Sequence, residues 1–284
     1  MCSSDLFQKD GQATLCWDAA IAYADSVKAF GYTLASEFSA NFSVGNEKSP
    51  ENIFVIPMDP TKYSAQFYYI IRTIHYEHGK AYSMDGWNGA SATKELLTAF
   101  RRSKNDTRLE KSFYTGKVTG PDGTPVMNGK VELQYMPDAI AIDLSGAAEE
   151  KTAGARWKKY AIDPSAQSAG KLQSVDFVLF RYADVLLMKA EAKIRKGQSG
   201  DNEINEVRSR SGAQELSNAT LSNLLDERMI ELSWEAVRRS DLVRFGKFTA
   251  AVDGRQESDP HVNVFPIPHD VILLNKNLTQ NPGY

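Results

Sequence analysis

Between residues 180 and 237 apolar side chains recur at helical spacing in three blocks, and this is the pattern that most restricts the fold. In 180–196, Tyr182, Val185, Leu186, Ala190 and Ile194 fall on one stripe that Gly197 closes. A short block over 201–210 carries Ile204 and Val207, and Leu221, Leu224, Leu225, Met229, Leu232 and Ala236 mark a third helix over 221–237, with Thr220 as its N-cap. Stripes at i, i+3, i+4 and i+7 predict amphipathic helices that must pack on one another. Upstream, 17–30 reads as a helix through Trp17, Ala20, Ile21, Ala24, Val27 and Lys28, with Gly31 as its stop. Residues 91–102 read as another, with Ser91 as the cap and Leu96, Leu97 and Phe100 as the apolar side.

β structure is sparse. Ile53-Phe54-Val55-Ile56 before Pro57 predicts a short strand or extended segment. Residues 105–175 are rich in turns, with Gly120-Pro121-Asp122-Gly123 and Asn128-Gly129 as the strongest signals. The flanking 117–119 and 130–133 alternate like the arms of a hairpin, and the Ala/Gly/Glu stretch 145–155 reads as a mobile loop. Val264-Phe265-Pro266-Ile267-Pro268 must be extended, and Asn281-Pro282-Gly283-Tyr284 is a turn former.

Composition removes whole classes of function. Thirty-three Lys and Arg against 36 Asp and Glu give a net charge of −3, without the basic excess of a nucleic-acid binder. No apolar run reaches the roughly 18 residues of a membrane span. Two cysteines cannot form a disulfide-dense scaffold or a four-thiolate zinc site. Met1-Cys2-Ser3-Ser4-Asp5 shows no export signal.

Five ordered blocks of the last third resemble the SusD/RagB family, the surface glycan-binding lipoproteins of Bacteroidetes. They are Phe180-Arg181-Tyr182-Ala183-Asp184-Val185-Leu186-Leu187 with Ala190-Glu191-Ala192; Ile204-Asn205-Glu206-Val207-Arg208-Ser209-Arg210-Ser211-Gly212; Glu227-Arg228, Glu231-Leu232 and Glu235 to Arg238 followed by Asp241 to Gly246; Phe265 to Pro268; and Leu278 to Tyr284. Ala236 stands where the family commonly has Gly and Phe245 where it commonly has Trp. The resemblance implies a mainly α fold: a tetratricopeptide-type helical scaffold with loop-rich parts and minor short β-strands. It implies one partial domain over 1–284, divided into a helix and aromatic loop region (17–100), a loop and hairpin insertion (101–175) and a helical C-terminal core (176–284). Family members are longer, and their signal peptide, anchoring Cys and helix pairs precede the region matching residue 17. Cys2 is therefore read as an interior residue at a truncation point in preference to the lipid anchor.

The resemblance further implies non-catalytic binding of an oligosaccharide or polysaccharide at the outer-membrane cell surface, for delivery to a SusC-like TonB-dependent transporter. It implies no cofactor, no metal, no nucleic acid, and membrane attachment only through a lipid anchor lacking here. The residues themselves leave two other readings open: a glycosidase using two carboxylates, and a helical-repeat adaptor that binds protein only. Glu227, Glu231 and Glu235 are four apart and predict three carboxylates on one helical face. Arg228, Arg238, Arg239 and Arg244, with Arg208 and Arg210 from the neighbouring helix, are expected to neutralise them, and Asp241 joins the network. Carboxylates so surrounded stay ionised, which suits a frame better than a general acid.

The functional candidate is the aromatic-rich stretch 61–90, with Tyr63, Phe67, Tyr68, Tyr69, Tyr76, Tyr82 and Trp87. Sugars stack C–H patches on aromatic faces and hydrogen-bond planar polar groups. Trp87 and Asn88 offer both, between Gly86 and Gly89, which are expected to let the backbone approach a ligand. Tyr76, Tyr82, His75 and Arg72 are expected to complete the arc, whereas Phe67, Tyr68 and Tyr69 read as core. Trp87 reads equally as sugar platform or packing anchor. His75 and His78 read as a solvated pair, because no further Cys or His lies nearby to complete a metal site.

Overall fold

The computed structural model of the chain describes residues 13–62, 68–141 and 143–284. The expectations placed on Cys2, Tyr63 and Phe67 lie outside those residues. Four helices make the scaffold. α1 (Ala13–Ala29) lies along α5 (Tyr182–Arg195), and α5 also packs on α6 (Asp201–Arg210) and α7 (Leu221–Glu231). The stripes meet in one apolar cluster of Tyr182, Leu186, Leu187, Ala190, Ile204, Val207, Leu224 and Leu232, with Val27 of α1 against it. Each fully buried Leu contributes about 1.5–3 kcal/mol there. The Thr220 hydroxyl accepts from the Asn223 amide while the Asn223 side chain accepts from the Thr220 amide, a reciprocal cap that fixes where α7 starts.

The far side of α7 receives α3 (Lys94–Arg102). Leu96, Leu97 and Phe100 are buried there against Phe113, Trp157, Met229 and Ile230. Its cap is Thr93, whose hydroxyl accepts from the Leu96 amide at 3.3 Å, and not Ser91. The helix expected over 221–237 stops at Glu231. Trp234 and Ala236 take φ of 64° and 62°, a left-handed conformation that no α-helix continues. The family's usual Gly at the place of Ala236 fits that geometry.

Ile53–Ile56 lies in β1 (Asn52–Ile56), which pairs antiparallel with β8 (Phe177–Arg181), Asn52 opposite Arg181 and Val55 opposite Val178. Phe180 and Arg181 therefore close a strand instead of opening α5, and Arg181 is the residue at which strand turns into helix. Between α2 (Tyr76–Ala81) and β8 the chain passes, among the described residues, through α3, α4 (Arg108–Ser112) and six two-residue strands. Of these, β2 (Phe113–Tyr114) pairs with β7 (Arg156–Trp157), and β3 (Gly116–Lys117) with β6 (Gln134–Tyr135). β4 (Met127–Asn128) pairs with β5 (Val131–Glu132) around Gly129, whose φ is 66°. The 117–119 arm meets the end of the other expected arm, Lys117 opposite Gln134 and the Val118 amide donating to the Leu133 carbonyl at 3.4 Å, whereas Val131 and Glu132 pair with Asn128 and Met127. In the stretch read as a mobile loop, Ala153 and Ala155 are buried, and the Ala155 carbonyl accepts from the Ala92 amide. Two short α-helices follow α7, α8 (Arg238–Arg244) and α9 (His269–Leu274), with a 3-10 turn over Pro260–Asn263 between them.

Candidate functional site

An open groove of about 470 Å³ lies between α2 and the loop that follows it, lined by Tyr76, Lys80, Met84, Asp85, Trp87 and neighbouring backbone. Tyr76 and Trp87, 42% and 47% exposed, are its aromatic walls. The Trp87 ring stacks on Tyr68 with centroids 5.0 Å apart and planes 29° from parallel. The Arg72 guanidinium is 5.8 Å from the Trp87 ring and 5.9 Å from that of Tyr68. Near-equal distances to two stacked rings place it beside the pair, not on the outer face of the indole. The outer face borders the groove, while the inner face anchors the loop.

The loop is held by its backbone. Amides of Trp87, Asn88 and Gly89 donate to the carbonyls of Ile71, Ile74 and Arg72 at 2.7, 2.9 and 2.7 Å. Gly86 and Gly79 serve this internal approach, and Gly86 also lines the groove. A Cβ at Gly86 would stand 2.5 Å from the His75 carbonyl oxygen, and one at Gly79 2.5 Å from that of Asp85. At Gly89 the nearest atom, the Arg72 carbonyl oxygen, is 3.1 Å away. Asn88 adopts φ of 53°, and its side-chain oxygen is buried without a partner.

His75 and His78 are fully buried, contrary to the solvated pair expected. His75 precedes the helix and caps it: its Nδ1 accepts from the Glu77 amide at 3.1 Å. The Tyr135 hydroxyl accepts from the His75 amide at 2.8 Å and lies 3.1 Å from Nδ1 of His78. Burial pulls both imidazoles down, His78 to about 4, so both are neutral at pH 7. Tyr82 packs on Ile70, Ile71 and Ile74, and its hydroxyl donates to the Thr119 carbonyl at 3.3 Å. Of the six candidates, Tyr76 and Trp87 therefore line the groove and Arg72 stands beside it, while His75, Tyr82 and Asn88 support it from within or behind. Lys80 and Asp85 in its lining are polar residues that the aromatic pattern did not single out. Tyr68, read as core, is part of the platform.

The acidic row forms a different structure. Glu227 and Glu231 sit one turn apart on α7, and Glu235 joins them from the turn after it. Glu227 accepts from Arg108 at 2.6 Å and Arg208 at 2.5 Å. Glu231 accepts from Arg108 at 2.6 Å, Arg181 at 2.5 Å and also Arg210. Glu235 takes a two-pronged contact from Arg181 at 2.7 and 2.9 Å, and Lys159 at 2.5 Å. Glu51 closes the frame through Arg181 and Arg210 at 2.7 and 2.9 Å. Burial alone would raise the Glu231 carboxyl, but Arg210, Arg181 and Arg108 hold it well below the ordinary carboxylate range.

Arg208 and Arg210 thus act as expected, but the other named arginines do not touch the row. Arg228 binds Asp184 and Asp241 at 2.7 and 2.9 Å, and Arg244 binds Glu191 and Asp241 at 2.9 and 2.7 Å, a second buried cluster. Arg238 reaches Glu95 at the surface, and Arg239 donates to the carbonyls of Val262 and Asn263. Among the described residues no group of three His, Cys, Asp or Glu could hold a metal ion, and no helix is long and apolar enough to cross a membrane.

The described chain is a mainly helical scaffold with an arginine-locked acidic helix and a short β1–β8 ladder. The model of the SusD family matches residues 50–284, and the chain belongs to that family. The starch-binding protein SusD of Bacteroides thetaiotaomicron is 36% identical over 140 residues, which cover 45% of this chain and 25% of that protein. Surface glycan-binding protein A from the same organism superposes with a TM-score of 0.72 at 22% identity, over 96% of this chain and 60% of that one. Its complex with laminarihexaose gives 0.69 at 21% identity, again over 96% of this chain and 60% of that one. The chain thus spans well under two thirds of these relatives' length.

Proposed function

We propose that the chain is part of a non-catalytic glycan-binding protein of the cell surface, which takes an oligosaccharide in the Tyr76–Trp87 groove. In this reading it acts with a SusC-like TonB-dependent transporter of the outer membrane, to which it delivers its ligand. The observation that carries the binding is the half-exposed indole, with one face fixed on Tyr68 and the other beside an open, polar-rimmed groove. Sugar rings fit such a face through their C–H patches. The frame supports binding over hydrolysis. Glu227 and Glu231 are buried and each bonded to at least two arginines, so neither is placed to reach a glycosidic oxygen.

Titration calorimetry of the full chain with glucan and mixed-linkage oligosaccharides tests this reading. Trp87→Ala is expected to weaken binding at least tenfold. Loss of the stacked pair costs about 0.5–1.5 kcal/mol of stability beyond the buried area that the indole gives up. Affinity that survives both Trp87→Ala and Tyr76→Ala would place the ligand elsewhere. New reducing ends that disappear in Glu231→Gln would favour hydrolysis. Recovery of a TonB-dependent transporter with the tagged protein from outer membranes tests the partner.

A further inference from the structure

The groove's charge differs from that of the chain around it. Four cations line the groove, flank its aromatic rings or pair with its lining residues: Arg72, Lys80, Lys151 and Lys171. Lys80 and Asp85 are in the lining, Lys171 pairs with Asp85 at 2.9 Å, and Lys80 lies 4.0 Å from Glu77. Four cations against the two acids Glu77 and Asp85 leave a local excess of two positive charges, on a chain whose net charge is −3.

Position matters more than the count. Each aromatic wall has its own cation: the Lys151 ammonium is 5.8 Å from the Tyr76 ring, and the Arg72 guanidinium is 5.8 Å from the Trp87 ring. Neither Arg72 nor Lys151 makes an ion pair with a carboxylate among the described residues. Both are therefore available to an incoming anion, and the solvent-reachable pairs of Lys80 and Lys171 are weak enough to yield. A pyranose lying flat on the indole carries its substituents outward in the ring plane. A carboxylate or sulfate on such a sugar would project past the indole edge, where Arg72 stands with a fork suited to two-pronged binding.

We propose that the groove selects acidic oligosaccharides, sugars bearing a carboxylate or sulfate group, with Arg72 as the residue that sets the preference and Lys151 in support. This inference rests on the groove being the glycan site and adds the substrate class. The test compares matched ligands on the full chain: oligogalacturonate against its methyl ester, and a sulfated oligosaccharide against its desulfated form. The acidic member of at least one pair is expected to bind ten times tighter or more, and the pair that shows the effect separates carboxylate from sulfate. The advantage should shrink between 50 and 500 mM salt, as partly exposed charges are screened. Arg72→Gln should bring the acidic-to-neutral ratio close to one, and Arg72→Lys should retain part of it, both with melting temperatures near that of the parent. Equal affinity for acidic and neutral members, lost together in Trp87→Ala, overturns this inference and leaves the groove as the site. A preference that survives Arg72→Gln combined with Lys151→Gln also overturns it. Binding of no member, or binding indifferent to both Trp87→Ala and Tyr76→Ala, overturns both readings.

Discussion

Arg181 and Arg72 show how differently two regions of the molecule use the same side chain. Arg181 is fully buried and gives its hydrogens to Glu51, Glu231, Glu235 and the Glu231 carbonyl. Arg72 lies at the surface beside two stacked rings with no carboxylate partner among the described residues. In the frame each charge is already answered, so the region is rigid and closed to new partners. Beside the groove charges stand unanswered, at little cost because water reaches them, and that is the condition for recognising something from outside. A high density of ionisable groups therefore marks the scaffold here, and a few underused ones mark the candidate site.

Arg181→Met is the strongest way to break that comparison. It leaves Glu51, Glu231 and Glu235 short of a buried cation and is expected to cost about 3–5 kcal/mol in urea denaturation, enough to unfold a marginal domain. A loss below 1 kcal/mol would mean that the frame does not hold the fold together.

Acid separates the two regions by pH. His78 is pulled down from 6.5 to about 4 by burial, so between those values the unfolded chain binds the proton first and stability falls as pH falls. The full effect approaches about 3 kcal/mol. Glu231 and Glu235 are held below the ordinary carboxylate range, so their stabilisation persists until pH drops below about 4.5 and then declines. Denaturation curves from pH 7 to 4 should show the upper limb, and His78→Gln should flatten it. An unchanged limb in that variant would assign the loss to other groups.

Gly86→Ala gives the smallest of these effects on stability, about 1–3 kcal/mol, because its Cβ would overlap the His75 carbonyl oxygen and push the loop away. Glycan affinity should fall with it, since the same loop carries Trp87. Calorimetry and a thermal melt on one sample check both halves, and parent-like values in both would sharpen the comparison against the groove.

Much of the scaffold was legible in the residues. The stripes of α5, α6 and α7 follow helical spacing, and Thr220 caps where expected. The end of α7 was not legible, because a left-handed Trp234 and Ala236 have no local signature in residues that ordinarily avoid that region. The acids of the frame were visible as a row, but Arg108 and Arg181 reach Glu231 across 123 and 50 residues. One sequence carries no information on pairings at that range. In the groove, Trp87 and Tyr76 stood out as aromatics among glycines. The inward roles of His75 and Gly86 depend on a backbone approach that only the fold reveals.

The span of those pairings bears on how the polypeptide matures. Arg108, Lys159 and Arg181 all leave the ribosome before Glu231 and Glu235, so three desolvation-sensitive cations stay short of partners until the last acids emerge. Such high contact order favours late, cooperative closure over stepwise docking. Nascent chains arrested before residue 227 should accordingly remain protease-sensitive throughout, and resistance should arrive in one step once residue 235 has cleared the exit tunnel.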